Sequence, residues 1–238
     1  MKIPIISDIH SNLEALEAVV EDILKTDIDI KNTICNGDIV GYGANPNECI
    51  DLLKKYNIDS VIKGNHDKAV NVVSMREKGD DLEYIDKFNN YAKEAIFWTY
   101  RCLNDDNKEY IAKLPTILSK KDALFVHGSP RKPIDEYVFE HDLEDYFDDL
   151  FNGIPEKIIV MGHTHMPYVK CVNDKLLINP GSVGQPRDKD PRASYCILDL
   201  DAKNAEIIKV SYNVDLAAEK IKKAGLPEKL ATRLFEGR

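Results

Sequence analysis

Apolar positions along the chain follow two alternating rhythms. Short, largely apolar runs stand at residues 3–7, 33–36, 60–63, 123–126 and 158–161. Each stops beside a glycine, an aspartate or a histidine, as buried strands bounded by turns do. Between the first three, apolar residues recur at helical spacing. Leu13, Leu16, Val19, Val20, Ile23 and Leu24 make one such face, and Ile50, Leu52, Leu53 and Tyr56 another. Ser11 with Glu14 three residues on reads as a capping box that starts the first helix. Asn45-Pro46-Asn47-Glu48 starts the second, with Pro46 in a first turn that tolerates it. Pro4 cannot donate to a ladder, so it is placed at the beginning of the first strand. Strand, helix, strand, helix, strand predicts a parallel sheet with crossover helices.

The middle reads as a long helix over 82–103, a shorter one over 105–114 that stops before Pro115, and an acidic helix over 141–150. Phe88, Tyr91, Ala92, Ala95, Ile96 and Trp98 fall mostly on one side of the long helix, which fits packing on a sheet. From residue 168 short strands at 168–172, 176–178, 194–200 and 206–212 are separated by turns, the pattern of antiparallel hairpins. Two short helices follow from Val214, split by Gly225-Leu226-Pro227. The expected class is α/β: two mixed β-sheets packed face to face with helices outside. The domain spans 1–212, with a helical C-terminal extension over 213–238.

At 238 residues the chain can bury a sizeable core without staples. The formal charge of −9 argues against a general nucleic-acid surface, but leaves room for a small anion in a locally positive pocket. No apolar run has the length of a membrane helix. Five cysteines with no CxxC pair, and an N-terminus that leads straight into a strand without a signal-peptide layout, make a reducing cytoplasm the expected compartment.

Candidate chemistry gathers where the strands stop. Asp8-Ile9-His10, Gly37-Asp38, Gly64-Asn65-His66-Asp67, His127-Gly128 and Gly162-His163-Thr164-His165 each end an apolar run. Five of the six histidines lie there, and His141, on the acidic helix, is given no role. Side chains two apart in an extended chain point the same way, so Asp8 with His10, and His163 with His165, aim at one point. Parallel strands end on one edge, which is where α/β proteins bind ligands. Carboxylate, imidazole and amide donors without sulfur suit Mn, Fe, Zn, Co or Ni rather than a Mg or Ca cage. Seven candidate ligands are too many for one ion and suit two that share a carboxylate.

These motifs, with Gly41-Tyr42-Gly43-Ala44-Asn45-Pro46, His127-Gly128-Ser129-Pro130 and the stretch Asn179 to Asp188, resemble in content and order the calcineurin-like metallophosphoesterase superfamily, in its small prokaryotic branch related to diadenosine tetraphosphatases. The resemblance covers residues 3 to about 212. It implies an αββα sandwich and a centre of two divalent metal ions, manganese foremost. One ion would take Asp8, His10 and His165, the other Asn65, His127 and His163, with Asp38 bridging. Two divalent cations less two carboxylates and a bridging hydroxide leave about +1, a positive hole in an acidic protein. The implied reaction is direct hydrolysis of a small phosphodiester or phosphomonoester by metal-bound hydroxide, with His66 assisting the leaving group.

The family's GDxVDRG stretch reads Gly37-Asp38-Ile39-Val40-Gly41-Tyr42-Gly43 here. Gly41 stands where the acid that orients the catalytic histidine would be, and Tyr42 where the phosphate-binding arginine would be. Asp67 is the substitute candidate for orienting His66, and Arg131 and Arg187 for gripping substrate. The competing readings are a non-catalytic scaffold on the same fold, as in a retromer subunit of the superfamily, and a metal-binding regulatory protein. The helices at 82–103 and 141–150 are candidates for a roof over the site or a homo-oligomer surface.

Overall fold

The structure, a computed structural model, describes residues 1–76 and 83–238. Its strands are β1 (Lys2–Ile6), β2 (Ile34–Cys35), β3 (Ser60–Val61), β4 (Ile117–Lys120), β5 (Ala123–Val126), β6 (Ile158–Val160), β7 (Tyr168–Val172), β8 (Lys175–Asn179), β9 (Ala193–Asp199) and β10 (Asn204–Val210). They form two five-stranded sheets, in the orders β10-β9-β1-β2-β3 and β4-β5-β6-β8-β7. Both are mixed. β1, β2 and β3 run parallel, as do β5, β6 and β8, while β9, β10, β4 and β7 pair antiparallel at the sides. The two-sheet expectation is met.

Strand alternation divides the apolar residues into layers. Ile3 and Ile5 of β1, Phe125 of β5, Ile158 and Val160 of β6, and Ile178 of β8 fill the seam between the sheets. Ile6 faces the opposite way, among Leu16, Val19 and Ile23. On the far side of the second sheet Leu124, Val126, Ile159 and Leu177 meet Leu143, Leu150 and Phe151. Strands covered on both faces must be apolar throughout, which is why β5 and β6 read as unbroken runs.

The helices are α1 (Leu13–Leu24), α2 (Pro46–Lys55), α3 (Asn65–Arg76), α4 (Glu83–Asp86), α5 (Asn90–Cys102), α6 (Asp105–Lys113), α7 (Asp142–Asp145), α8 (Phe147–Phe151), α9 (Val214–Lys223) and α10 (Glu228–Thr232). Several expectations need correction. The cap of α1 is Asn12, whose side chain accepts from the Ala15 N–H, and not Ser11, whose φ of +54° belongs to the turn before the helix. The long helix expected over 82–103 is two helices, because Asn89 caps α5 by accepting from the Ala92 N–H; position 82 lies outside the described residues. The acidic helix is likewise α7 and α8, parted at Tyr146. Pro4 sits inside β1, opposite Ile197, at a position where β2 has not yet begun to pair.

One strand and one α-helix were not expected at all. β4 is an edge strand of Ile-Leu-Ser-Lys with every side chain at least partly exposed. α3 starts directly at the Asn65-His66-Asp67 motif. The C-terminal helices pack through Ala217, Ala218, Ile221 and Leu230 against Ala92, Ala95 and Tyr42.

Candidate metal centre

Asp8 and His10 follow β1, Asp38 follows β2, and Asn65 and His66 open α3 just beyond β3. His127 follows β5, and His163 and His165 follow β6. The parallel strands of both sheets therefore deliver their trailing residues to one rim, the position expected of an α/β ligand site. Extended alternation does not aim the side chains, however. Asp8, His10, Asp38, His163 and His165 have φ of +53°, +48°, +53°, +67° and +59°. Each costs roughly 1–3 kcal/mol in a residue other than glycine, and strain of this kind concentrates at functional sites. The turns are pinned from outside: the Asp8, His10 and Ser11 N–H groups donate to Gly37, Asp38 and Ile39 oxygens at 3.0, 3.0 and 2.9 Å. On the other side Val183 and Gly184 N–H groups donate to Ser7 and Asp8 oxygens, both at 2.9 Å.

All seven predicted donors are buried and brought together. Asp8 Oδ1 lies 3.2 Å from His165 Nε2 and 3.7 Å from His10 Nε2. Asp38 Oδ2 lies 3.6 Å from His10 Nε2 and 3.4 Å from His127 Nε2. Asn65 Oδ1 is 3.1 Å from His127 Nε2. Three overlapping groups could each hold a metal ion: Asp8, His10 and His165; His10, Asp38 and His66; and Asp38, His127 and His163. Asp38 appears in two of them.

Each carboxylate keeps one oxygen for the protein and offers the other inward. Asp8 Oδ2 accepts from Ser7 Oγ at 2.6 Å and the His163 N–H at 3.2 Å. Asp38 Oδ1 accepts from the His66 N–H at 2.8 Å. Asp8 Oδ1, Asp38 Oδ2 and His163 Nε2 are buried with no hydrogen-bond partner. Left so, each would cost of order 1–3 kcal/mol or more. The imidazoles are oriented in the same sense. His10 Nδ1 faces the Val40 oxygen at 3.3 Å, His127 Nδ1 that of Asn36 at 2.9 Å, and His165 Nδ1 that of Gln185 at 2.5 Å. A carbonyl fixes the proton on Nδ1 and turns the Nε2 lone pair inward, as around bound metals. His10 and His165 then present Nε2 atoms only 3.1 Å apart, a contact that favours a cation between or beside them.

Protonation points the same way. Burial works against the charged His127 imidazole, but the Asp38 and Asp8 carboxylates outweigh it and push it up to about 10. Burial, with the His127 charge second, brings His163 down to about 3, and burial with Arg187 brings His165 to about 4. Burial opposes ionisation of Asp8 and Asp38 too, yet the surrounding histidines hold both below the ordinary carboxylate range. Two ionised carboxylates with the His127 proton held against them mark a place suited to a cation.

The family model of the calcineurin-like phosphoesterase superfamily domain matches residues 1–203. The chain belongs to this superfamily. Over 256 aligned positions it is 44% identical to the uncharacterized protein MJ0912 of Methanocaldococcus jannaschii, covering 99% of this chain and 98% of that one. The crystal structure of a metallophosphoesterase from Sphaerobacter thermophilus matches with a TM-score of 0.82 at 35% identity, over 100% of both chains. The hypothetical protein PH1004 of Pyrococcus horikoshii gives a TM-score of 0.83 at 22% identity, over 100% of this chain and 98% of that one, a likeness of fold. Among the described residues no helix is long and apolar enough to cross a membrane.

Not every expected residue of this superfamily member serves as anticipated. Asp67 does not reach the His66 ring. Its Oδ1 accepts from the Ile39 and Val40 N–H groups at 3.1 and 3.2 Å, and its Oδ2 from that of Gly64 at 3.0 Å. It locks the turn after β2 to the turn after β3, and burial and the Asp38 charge raise it to about 6. We expect Asp67→Ala to lower the unfolding free energy by about 3 kcal/mol, since it strands three buried N–H donors. A urea melt measures this; an orienting role for Asp67 would instead show as lost kcat at unchanged stability. Arg131 is also turned away, because Nε and Nη2 clamp Glu136 at 2.7 to 3.1 Å. Arg187 does lie beside the centre, its N–H donating to the His165 oxygen at 3.3 Å.

His66 is held by rings rather than by an acid. Its centroid lies 4.4 Å from Tyr42, 4.9 Å from His10 and 5.1 Å from Phe88. Its Nδ1 is buried and unpartnered, beside Gly41, where an added Cβ would sit 2.5 Å away. Burial holds it well below the ordinary imidazole range, so it is neutral at pH 7. Sequence reasoning gave no role to Ser7, Asn36 and Gln185, which set the inward-facing atoms, although Asn36 adjoins Gly37-Asp38 and Gln185 lies within the stretch Asn179 to Asp188. Nothing in the sequence marked Tyr137, whose ring stacks on His163 at 3.8 Å. Tyr42, Asn65, His66, Phe88, Tyr137 and His163 line a cavity of about 150 Å³. A wider one of about 680 Å³ shares Lys87, Asp135 and Tyr137 with it and adds Lys68 and Lys132.

Proposed function

We propose that the chain is a dimetal phosphoesterase that hydrolyses small phosphomonoesters or phosphodiesters. The observation that carries this reading is the closed set of inward-facing, unsatisfied atoms, Asp8 Oδ1, Asp38 Oδ2 and His163 Nε2, beside the convergent histidines. A scaffold without cations would gain nothing from burying them unpaired. Asp8, His10 and His165 would hold one ion, Asn65, His127 and His163 the other, and Asp38 would serve both. Manganese is the foremost candidate, with Fe, Zn, Ni and Co as alternatives. Bound there, divalent ions supply a water acidic enough to be a nucleophile near neutral pH and a positive field for the phosphoryl oxygens.

The protein's own groups do the rest. Neutral His66 has one N–H to give, and its ring lines the 150 Å³ cavity. It steadies the leaving oxygen or a phosphoryl oxygen by hydrogen bonding, since it carries no proton in reserve at rest. Tyr42 and Phe88 wedge its ring in place of an orienting carboxylate. The wider, lysine-bearing cavity accommodates the part of the substrate beyond the phosphate.

The test is hydrolysis of bis-p-nitrophenyl phosphate and p-nitrophenyl phosphate by the manganese-loaded chain. Turnover that EDTA abolishes and manganese restores is expected; no turnover with any of the five metals would defeat the reading. Metal uptake should also release protons. His127, at about 10, carries a proton at pH 7–8 in the metal-free chain and must lose it to coordinate. Affinity therefore rises with pH up to about 10, and calorimetry in two buffers of different ionisation enthalpy should find about one proton released per chain.

A further inference from the structure

Two guanidiniums flank the centre, and among the described residues no side-chain carboxylate neutralises them. Arg187 reaches it along the loop after β8. Its Nη2 donates to Gln185 Oε1 at 3.2 Å, and its Nε is buried with no partner. Arg233 arrives from the turn Arg233–Glu236, beyond the residues that the family model matches. It is half-buried, and its guanidinium lies 6.0 Å from the Tyr42 ring centroid, one ring removed from His66 and His10. Its Nε donates to the Arg238 main-chain oxygen.

Carboxylates stand nearby but are committed elsewhere: Asp188 to Lys209, Asp190 to Arg192 and Glu236 to Arg238. Among the described residues neither Arg187 nor Arg233 has an ion pair. Both arginines are only partly exposed, and cations half withdrawn from water are ordinarily paired. Burial, and then the Arg187 charge, lower the Arg233 guanidinium from its usual range. The tail that carries Arg233 is seated firmly. The Lys189 N–H donates to the Gly237 oxygen at 2.9 Å. Gly237 has a φ of +60°, and a Cβ there would lie 2.5 Å from Asp190 N, so only glycine permits this docking. Lys220 of α9 also pairs with Glu14 of α1.

We propose that Arg187 and Arg233 together bind a second phosphoryl group of the substrate, next to the one hydrolysed, so that the C-terminal segment completes the substrate site. This rests on the phosphoesterase reading. A phosphate at the metal centre already meets compensating charge there. Two further cations exceed what a singly charged diester requires, and the planar guanidinium fork matches phosphate oxygens.

Calorimetric titration of the manganese-loaded full chain with α,β-methylene-ADP and with AMP tests this without turnover. The wild type should bind the diphosphate analogue about tenfold more tightly than AMP, the scale of one charge-assisted hydrogen bond. Arg233→Met should abolish most of that preference, and Arg233→Lys should keep part of it, with melting temperatures as in the wild type. Equal affinities in the wild type, or equal losses for both ligands in Arg233→Met, would overturn the proposal. Wild-type turnover of bis-p-nitrophenyl phosphate is followed in parallel. Its absence beside an intact diphosphate preference would remove the hydrolase reading and leave this site standing.

Discussion

Replacing His66 by alanine should lower kcat on bis-p-nitrophenyl phosphate by about 10²-fold or more, the usual cost of removing one positioned hydrogen-bond donor to the reacting oxygens. Metal content should stay at the wild-type value, because Asp8, Asp38, Asn65 and the other four histidines of the rim suffice to hold the ions. That second readout matters. His66 also lies in a group with His10 and Asp38 that could itself hold a cation, and a ligand role would show as lost metal. His66→Asn should recover part of the lost rate, since its amide can donate the same hydrogen bond from a shorter side chain. The loss should be larger for an alkyl ester than for a nitrophenyl ester, because a poor leaving group depends more on assistance.

The second large effect is expected from Asp38→Asn. The substitution preserves size and leaves an oxygen for the His66 N–H, which Asp38 now accepts at 2.8 Å. It removes the charge shared by both halves of the centre. Elemental analysis should find both ions lost, with hydrolysis falling to background. The fold should survive, and the His127 imidazole, held at about 10 largely by Asp38, should return toward its ordinary value, which NMR titration reads directly. Two ions still bound to Asp38→Asn would remove Asp38 from the bridging role.

Much of this architecture was legible because the strands covered on both faces could hardly look otherwise. Ala-Leu-Phe-Val and Ile-Ile-Val are buried at every position, and alternation splits them between the inner seam and the outer layer. The convergence of these side chains was legible because five histidines, Asp8, Asp38 and Asn65 stood where such runs stop. What escaped was governed by contacts between distant segments. β4 is a partly exposed edge whose pairing with β5 alone defines it. α3 begins at Asn65 with a weakly amphipathic stretch, Asn-His-Asp-Lys-Ala-Val, that reads equally well as a turn. The two-residue spacing in Asp8-x-His10 suggested the right convergence for the wrong reason, since left-handed backbone rather than strand alternation turns both side chains inward. Asp67 looked like a partner for His66 only by adjacency. Three backbone donors from other segments claim it, and no local pattern announces them. Arg233 was invisible as a site residue because 46 positions separate it from Arg187, and only the docking of the tail joins them.

The measurement closest to the central claim is an anomalous difference map at the manganese edge, from crystals of the chain grown with manganese. Two peaks roughly 3.5–4 Å apart, one beside Asp8, His10 and His165 and the other beside Asn65, His127 and His163, with Asp38 between them, is the predicted result. A single peak, or none within this ring of side chains, would contradict it.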